Sequence, residues 1–197
     1  MLDTFSETPI KEVEVNPVIQ YKAVKRMPGG GTSNVYEVEL EGQSFAVKAS
    51  PFSLAREEST LSSLSHPNIL PVLESGRAKL DTSQIPDDKN NDIVVHTLRF
   101  KFIPTSLTTL AAGLSEEQIR QLLEQQRAAL DYMHSKDIVH TDIKSDNVLV
   151  EGETSYLSDF GNSKRLSLPA EQEQFEQLKQ KDIADFQQMS ERLLGQP

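Results

Sequence analysis

The chain has 197 residues, 37% hydrophobic and 25% charged, with 30 acidic against 20 basic side chains and a formal net charge of −10. That supplies a core for one domain, or one domain of two small lobes, and excludes wholesale disorder. Such an acidic chain is a poor counter-charge for phosphate backbones or anionic bilayers, so no nucleic acid is expected as a partner, and the absence of cysteine excludes disulfides, Cys-ligated zinc and a thiol nucleophile.

Residues 1–20 are polar, contain Pro9 and Pro17, and read as an N-terminal extension with one edge strand. Their start, MLDTFSETPI, has neither the basic end nor the apolar stretch of a Sec-type signal. No apolar run approaches the roughly 18 residues that span a bilayer. Tyr21–Met27 has a strand pattern and runs into Pro28-Gly29-Gly30-Gly31. In Asn34–Glu41, Tyr36, Val38 and Leu40 alternate with Val35, Glu37 and Glu39. Glu41-Gly42 then reads as a tight turn and Gln43–Ala49 as the returning strand. Ser53 is placed to cap a short helix over Leu54–Ser65, with Leu54, Leu61 and Leu64 on one face. Pro67 ends that helix by pushing His66 out of the helical region. Ile69–Leu73 and Ile93–Phe102 read as further strands, with Leu80–Asp92 as a polar loop between them.

Pro104 marks a break, and the lobe boundary is placed there, dividing the rest into 21–103 and 104–197. Ser115-Glu116-Glu117-Gln118 is a capping box. It opens a helix with Ile119, Leu122, Leu123, Ala129, Leu130 and Met133 at helical spacing. Asp137–Val150 reads as loop and short strand, and Ser155–Ser158 as another short strand. From Pro169 a long polar helix carries Phe175, Leu178, Ile183, Phe186, Met189 and Leu193 on one stripe, with Gly195 as its terminal cap. An all-β part with one helix, followed by a mostly helical part, predicts an α+β fold with a cleft between the two.

The densest chemical signal is His140-Thr141-Asp142-Ile143-Lys144-Ser145-Asp146-Asn147, with Asp159-Phe160-Gly161 beginning twelve residues after Asn147. It resembles the catalytic loop and metal-binding motif of the protein-kinase superfamily, with Thr141 where that family usually carries Arg. Phe45-Ala46-Val47-Lys48 resembles the family's Val-Ala-Ile-Lys strand, and Pro28–Val35 its glycine-rich loop. His66-Pro67-Asn68-Ile69 resembles the linker after its αC helix, and Leu98–Leu107 its hinge. The resemblance covers about Tyr21 to Gly195. It implies a two-lobed kinase-like fold, with an antiparallel β N-lobe holding one helix and a reduced, mostly helical C-lobe ending after an αF-like helix.

The resemblance also implies ATP and Mg²⁺ as cofactors and a role for each motif residue. Lys48 would reach the α- and β-phosphates, paired with Glu57, which shares a helix face with Leu61 and Leu64; Glu58 is the alternative. Asp142 would accept or orient the proton of the attacking hydroxyl, and Lys144 would steady the γ-phosphate. Asn147 and Asp159 would offer hard oxygen ligands to Mg²⁺. Gly29, Gly30 and Gly31 would give the loop its freedom over the phosphates. Val35, Ala46, Phe100 and Leu149 would surround the base, with Phe100 as gatekeeper and Lys101 and Ile103 contributing backbone groups.

Departures from the family pattern carry expectations of their own. Without Arg at position 141, activation through a phosphorylated loop is not expected, although Ser163 and Ser167 stand in that segment. Only twenty residues separate Gly161 from Asp182, and no Ala-Pro-Glu motif occurs. Asp182 falls where the family anchors its catalytic loop, and its place on an apolar stripe predicts a buried, hydrogen-bonded acid. The pattern resembles the minimal kinases seen among bacterial secreted effectors. It implies a soluble Ser/Thr kinase acting on a folded protein, in the cytoplasm or delivered into a host cytoplasm. A small-molecule or lipid kinase on the same fold, and a pseudokinase binding module, are the alternatives.

Overall fold

Five strands curl into a closed barrel in the order β1-β2-β3-β5-β4: β1 (Ile19–Arg26), β2 (Asn34–Leu40), β3 (Gln43–Ser50), β4 (Glu74–Asp81) and β5 (Val94–Lys101). They belong to a computed structural model that describes residues 18–27, 33–86, 88 and 93–195. Gly29, Gly30 and Gly31 lie outside the described residues, as does the expected extension up to residue 17. The antiparallel expectation is corrected at one pairing. β1 meets β4 in parallel, Ile19 opposite Ala78 and Lys22 opposite Asp81, and this pairing closes the barrel.

The interior of the barrel holds Tyr21, Ala23, Tyr36, Val38, Val47, Ala49, Ala78, Leu80 and Val95. Three alanines leave room for two tyrosine rings, so the inner volume is filled by pairing small with large side chains. Glu41 and Gly42 both have positive φ, 53° and 76°. That is the two-residue hairpin geometry whose twist matches the flanking strands, and it sets the β2–β3 register of Tyr36 opposite Val47.

Two sequence expectations move. Helix α1 is Ala55–Ser62 rather than Leu54–Ser65. Ser63 Oγ donates to the Thr60 carbonyl at 2.7 Å, a local bond that competes with another helical turn. Ile69–Leu73 is not a strand. Ile69 makes an isolated bridge to Leu157, and Pro71 has no N–H to continue a ladder. The strand is Glu74–Asp81, reaching into what reads from sequence as polar loop. It buries only Ala78 and Leu80 fully, so its apolar alternation is too thin to detect.

The second part is helical. Short α2 (Leu107–Leu110) precedes α3 (Glu116–Ser135), which opens on the expected capping box: Ser115 Oγ accepts from Gln118 N–H at 3.2 Å, and Gln118 Oε1 accepts from Ser115 N–H at 2.9 Å. Strands β6 (Ile138–Val139), β7 (Val148–Glu151), β8 (Thr154–Leu157) and β9 (Lys164–Arg165) form two hairpin-sized sheets, and α4 spans Gln172–Leu193. A second core joins Leu61, Leu98 and Phe100 to Ile119, Leu130, Met133, Val148 and Phe160. β5 thus faces two cores, Val95 into the barrel and Leu98 and Phe100 toward the helices.

Asp182, in the middle of α4, is fully buried. Its Oδ1 accepts from Thr141 N–H at 2.7 Å, and its Oδ2 accepts from His140 N–H at 2.8 Å and lies 3.1 Å from His134 Nε2. The expectation of a buried, hydrogen-bonded acid is met.

Two stability measurements check these packing arguments. Leu80→Ala empties barrel volume and is expected to cost about 2–5 kcal/mol by urea denaturation, whereas Leu73→Ala, half-exposed, is expected to cost less than about 0.5 kcal/mol. The reverse order would mean that Leu73, not Leu80, is the core position. Asp182→Ala orphans two buried N–H donors and is expected to lose about 2–5 kcal/mol; a loss below about 1 kcal/mol would show that water replaces the carboxylate there.

Candidate active site

A cleft of about 710 Å³ lies where the barrel meets the helical part. Val35, Ala46, Phe100, Ile103 and Leu149 supply apolar wall, and Lys48, Glu57, Asp142, Lys144, Asn147 and Asp159 line the same space. Residues from β2, β3, α1, β5, β7 and three connecting segments therefore converge. Lys101 does not line the cleft; its ammonium pairs with Glu151 across to β7. Strand alternation explains this, because Phe100 inward puts Lys101 outward.

Lys48 sits on a strand end buried on both faces. Its Nζ lies 2.8 Å from Glu57 Oε2 and 2.7 Å from Asp159 Oδ1. The helix register settles the choice of partner. Glu57 is buried with Thr60 and Leu61, one turn apart on the same face. Glu58 faces away and accepts from Ser75 Oγ on β4. Burial works against the charge on Lys48, but the two carboxylates outweigh it and hold its pKa above the ordinary value. Burial likewise opposes the Asp159 carboxylate, and the Lys48 ammonium reverses that, holding its pKa below the ordinary value.

Asp159 is delivered by an unusual backbone. Its φ is 61°, and it flanks the 3₁₀ turn Phe160–Asn162. Asp tolerates this left-handed region better than most residues. Phe160 is buried, edge-on to the His140 ring at 4.8 Å between centroids. Gly161 passes so close to the cluster that a Cβ there would lie 2.9 Å from Lys48 Nζ. Only glycine fits without moving the ammonium.

The loop after β6 is held by its own side chains. His140 Nδ1 accepts from Asp142 N–H at 3.3 Å, which leaves Nε2 to donate to the Ser158 carbonyl at 3.0 Å. That pair of partners fixes the neutral tautomer, and burial holds the ring's pKa below its ordinary value. Asn147 Nδ2 donates to the backbone carbonyl of Asp142 at 2.8 Å and to its Oδ2 at 3.0 Å. Lys144 Nζ donates to the same Oδ2 at 2.8 Å, and this bond holds the Lys144 pKa above its ordinary value. Asp142 is thereby aimed by two neighbours on its own loop.

Several lining residues carried no sequence signal. Leu61, Leu70 and Phe102 read as ordinary core. Ser106 enters through an isolated bridge to Leu149, a backbone pairing that side-chain patterns do not report. Of the two serines in the segment after Gly161, Ser163 is buried and donates to the Phe160 carbonyl at 2.7 Å. Ser167 is exposed.

Comparison with known proteins places this geometry. The protein kinase domain family matches residues 21–181. The probable serine/threonine-protein kinase glkA of Dictyostelium discoideum is 32% identical over 163 residues, covering 78% of this chain and 32% of that protein. The cyclin-dependent kinase 4 homolog of Caenorhabditis elegans is 30% identical over 159 residues, covering 70% and 37%. Mitogen-activated protein kinase kinase kinase 17 of Arabidopsis thaliana is 31% identical over 150 residues, covering 70% and 38%. The chain spans about a third of the length of these relatives. Matched from β1 to the residue before the Asp182 anchor, the chain belongs to the protein kinase family.

Proposed function

We propose that the cleft binds ATP with Mg²⁺ and transfers the γ-phosphoryl group to a Ser or Thr hydroxyl of a folded protein. The observation that carries this reading is the Lys48 ammonium, held between Glu57 and Asp159 in the cleft that Asp142 and Asn147 also line. Phosphoryl transfer asks a protein for placement and charge neutralisation more than for covalent chemistry. Lys48, kept in place by Glu57, would hold the α- and β-phosphates. Asp142 would orient the attacking hydroxyl and take its proton. Lys144, already beside Asp142, would steady the transferring group.

The donor set suits magnesium. Among the described residues no group of three or more His, Asp or Glu side chains forms a metal cage. Mg²⁺ instead takes one or two protein oxygens and fills its shell with water and substrate phosphates. Asp159 offers a carboxylate, and Asn147, whose Nδ2 is spent on Asp142, offers its Oδ1. The bound ion would neutralise phosphate charge.

A folded target is favoured by the connection from Ser163 to Glu171, which runs from the Phe160–Asn162 turn to α4 in nine residues. It gives a free peptide little surface to lie along, so the target must bring its own positioning face. A basic face would be steered by the net charge of −10. The finer setting, a bacterial effector in a host cytoplasm, has the sequence resemblance as its support.

The test is transfer from radiolabelled ATP, with Mg²⁺, to a cell lysate and a small-molecule panel. Asp159→Asn is expected to cut the rate at least about a thousandfold, about 4 kcal/mol in barrier. Because the Lys48–Asp159 pair is half-exposed on the Asp159 side, its unfolding free energy is expected to change by less than about 1 kcal/mol. Near wild-type turnover would remove Asp159 from the mechanism. Label confined to small molecules would remove the protein substrate.

Gly161→Ala tests the placement of Lys48 separately. The clash is with the far end of a flexible side chain, so folding is expected to be nearly unchanged, while turnover falls tenfold or more, about 1.4 kcal/mol. Full activity in Gly161→Ala would mean that the exact position of Nζ is immaterial.

A further inference from the structure

Thr141 is where residue type and backbone disagree. It is β-branched, yet its φ is 69°, in the left-handed region that branched side chains avoid. The other described non-glycine residues with positive φ are Glu41, Asp137 and Asp159, none of them β-branched. Such a conformation persists only where its surroundings over-determine it.

Three contacts hold Thr141. Asp182 Oδ1 accepts its N–H at 2.7 Å, and Lys181 Nζ donates to its carbonyl at 3.4 Å. Both engage the backbone and would hold a glycine equally well. The third needs the side chain: Thr141 Oγ1 donates to the Asn162 carbonyl at 2.9 Å. Asn162 ends the 3₁₀ turn that Asp159 begins, and Ser163 N–H and Oγ fold back onto the Phe160 carbonyl at 3.0 and 2.7 Å. One hydroxyl therefore joins the residue before Asp142 to the turn after Asp159.

We infer that the Thr141 hydroxyl is a fixed latch, a neutral hydrogen bond that registers the turn after Asp159 against the loop carrying Asp142, and that Thr141 is a positioning residue for the transfer reaction. The latch is a property of the fold; its effect on rate rests on the proposed function. It requires no modification of the chain, because donor and acceptor are both present in the unmodified protein. It also accounts for a branched residue in a region better suited to glycine: glycine would relax the backbone and lose the bond.

Three variants separate bond from strain. Thr141→Val keeps the branching and loses the hydroxyl, Thr141→Ser keeps the hydroxyl, and Thr141→Gly relaxes the backbone and loses the hydroxyl. Amide hydrogen exchange of Phe160–Ser163 in ligand-free protein is expected to quicken at least tenfold in Thr141→Val and Thr141→Gly and to stay within twofold of wild type in Thr141→Ser. Amides of α3 are expected to be unchanged in all three. In the same variants kcat is expected to fall about tenfold for Val and Gly, with KM for ATP within threefold, and to be retained by Ser. Should Thr141→Val fail to fold, Thr141→Gly, free of side-chain strain, carries the same comparison. Wild-type exchange in the variants lacking the hydroxyl would overturn the latch, and faster exchange at unchanged kcat would overturn its positioning role. A wild-type protein that transfers no phosphate would sink the proposed function instead, and the exchange measurements would still decide the latch.

Discussion

The Lys48 ammonium, with its side chain about nine-tenths buried, is the constraint on which the cleft depends. Removing an isolated charge from water costs several kcal/mol, and the cost is offset only by well-placed opposite charges. Here the two carboxylates come from different elements, Glu57 from α1 and Asp159 from the turn after β8. Both must approach β3, and that requirement explains other features. α1 has to present Glu57 on its inner face with Thr60 and Leu61. Asp159 adopts a left-handed backbone. Gly161 has to be bare, because the ammonium occupies the space a Cβ would take.

A second buried charge organises the other side of the site. Asp182 lies in α4, which exposes most of its surface and fully buries only Phe175, Asp182 and Met189. Its two oxygens take the consecutive N–H groups of His140 and Thr141, donors that no strand or helix satisfies. Those two residues in turn hold the Ser158 and Asn162 carbonyls, on either side of Asp159. Asp142 and Asp159 are thus placed relative to each other through one carboxylate 40 and 23 residues further along the chain. Positioning of this kind needs little apolar area, which fits a polar helix doing it.

What the sequence made legible follows from which interactions are local. The Glu41-Gly42 hairpin and the Ser115–Gln118 capping box are specified by residues within a few positions of each other, and both are where the pattern puts them. The Glu57 register and the burial of Asp182 follow from helical phase. β4 was not legible, because its burial comes from closing the barrel against β1 in parallel, a long-range event that leaves Arg77 and Lys79 in an otherwise weak pattern. The side-chain partner of Lys101 was not legible, because a backbone role expected from resemblance says nothing about a side chain, which here turns to Glu151. The burial of Ser163 depends on the turn after Gly161 folding back on itself, and no composition signal encodes that.

The charge balance of the cleft bears on the reaction proposed for it. Lys48 and Lys144 face Glu57, Asp142, Asp146 and Asp159 in the same space, two cations against four carboxylates. Two shifts reinforce that count and one runs against it: Glu57 and Asp159 hold Lys48 as ammonium, Lys48 holds Asp159 as carboxylate, and burial pushes the Glu57 carboxyl above its ordinary value. A polyphosphate entering such a site alone would meet a net negative field in a chain that is itself strongly acidic, and low local dielectric would sharpen the repulsion. Arriving with a divalent cation, it would meet carboxylates suited to that cation's shell. Asp159 is the group placed for such an exchange, being half-exposed while its Lys48 partner is buried. Lys48 would still keep Glu57, so the buried ammonium need never be left without a counter-charge.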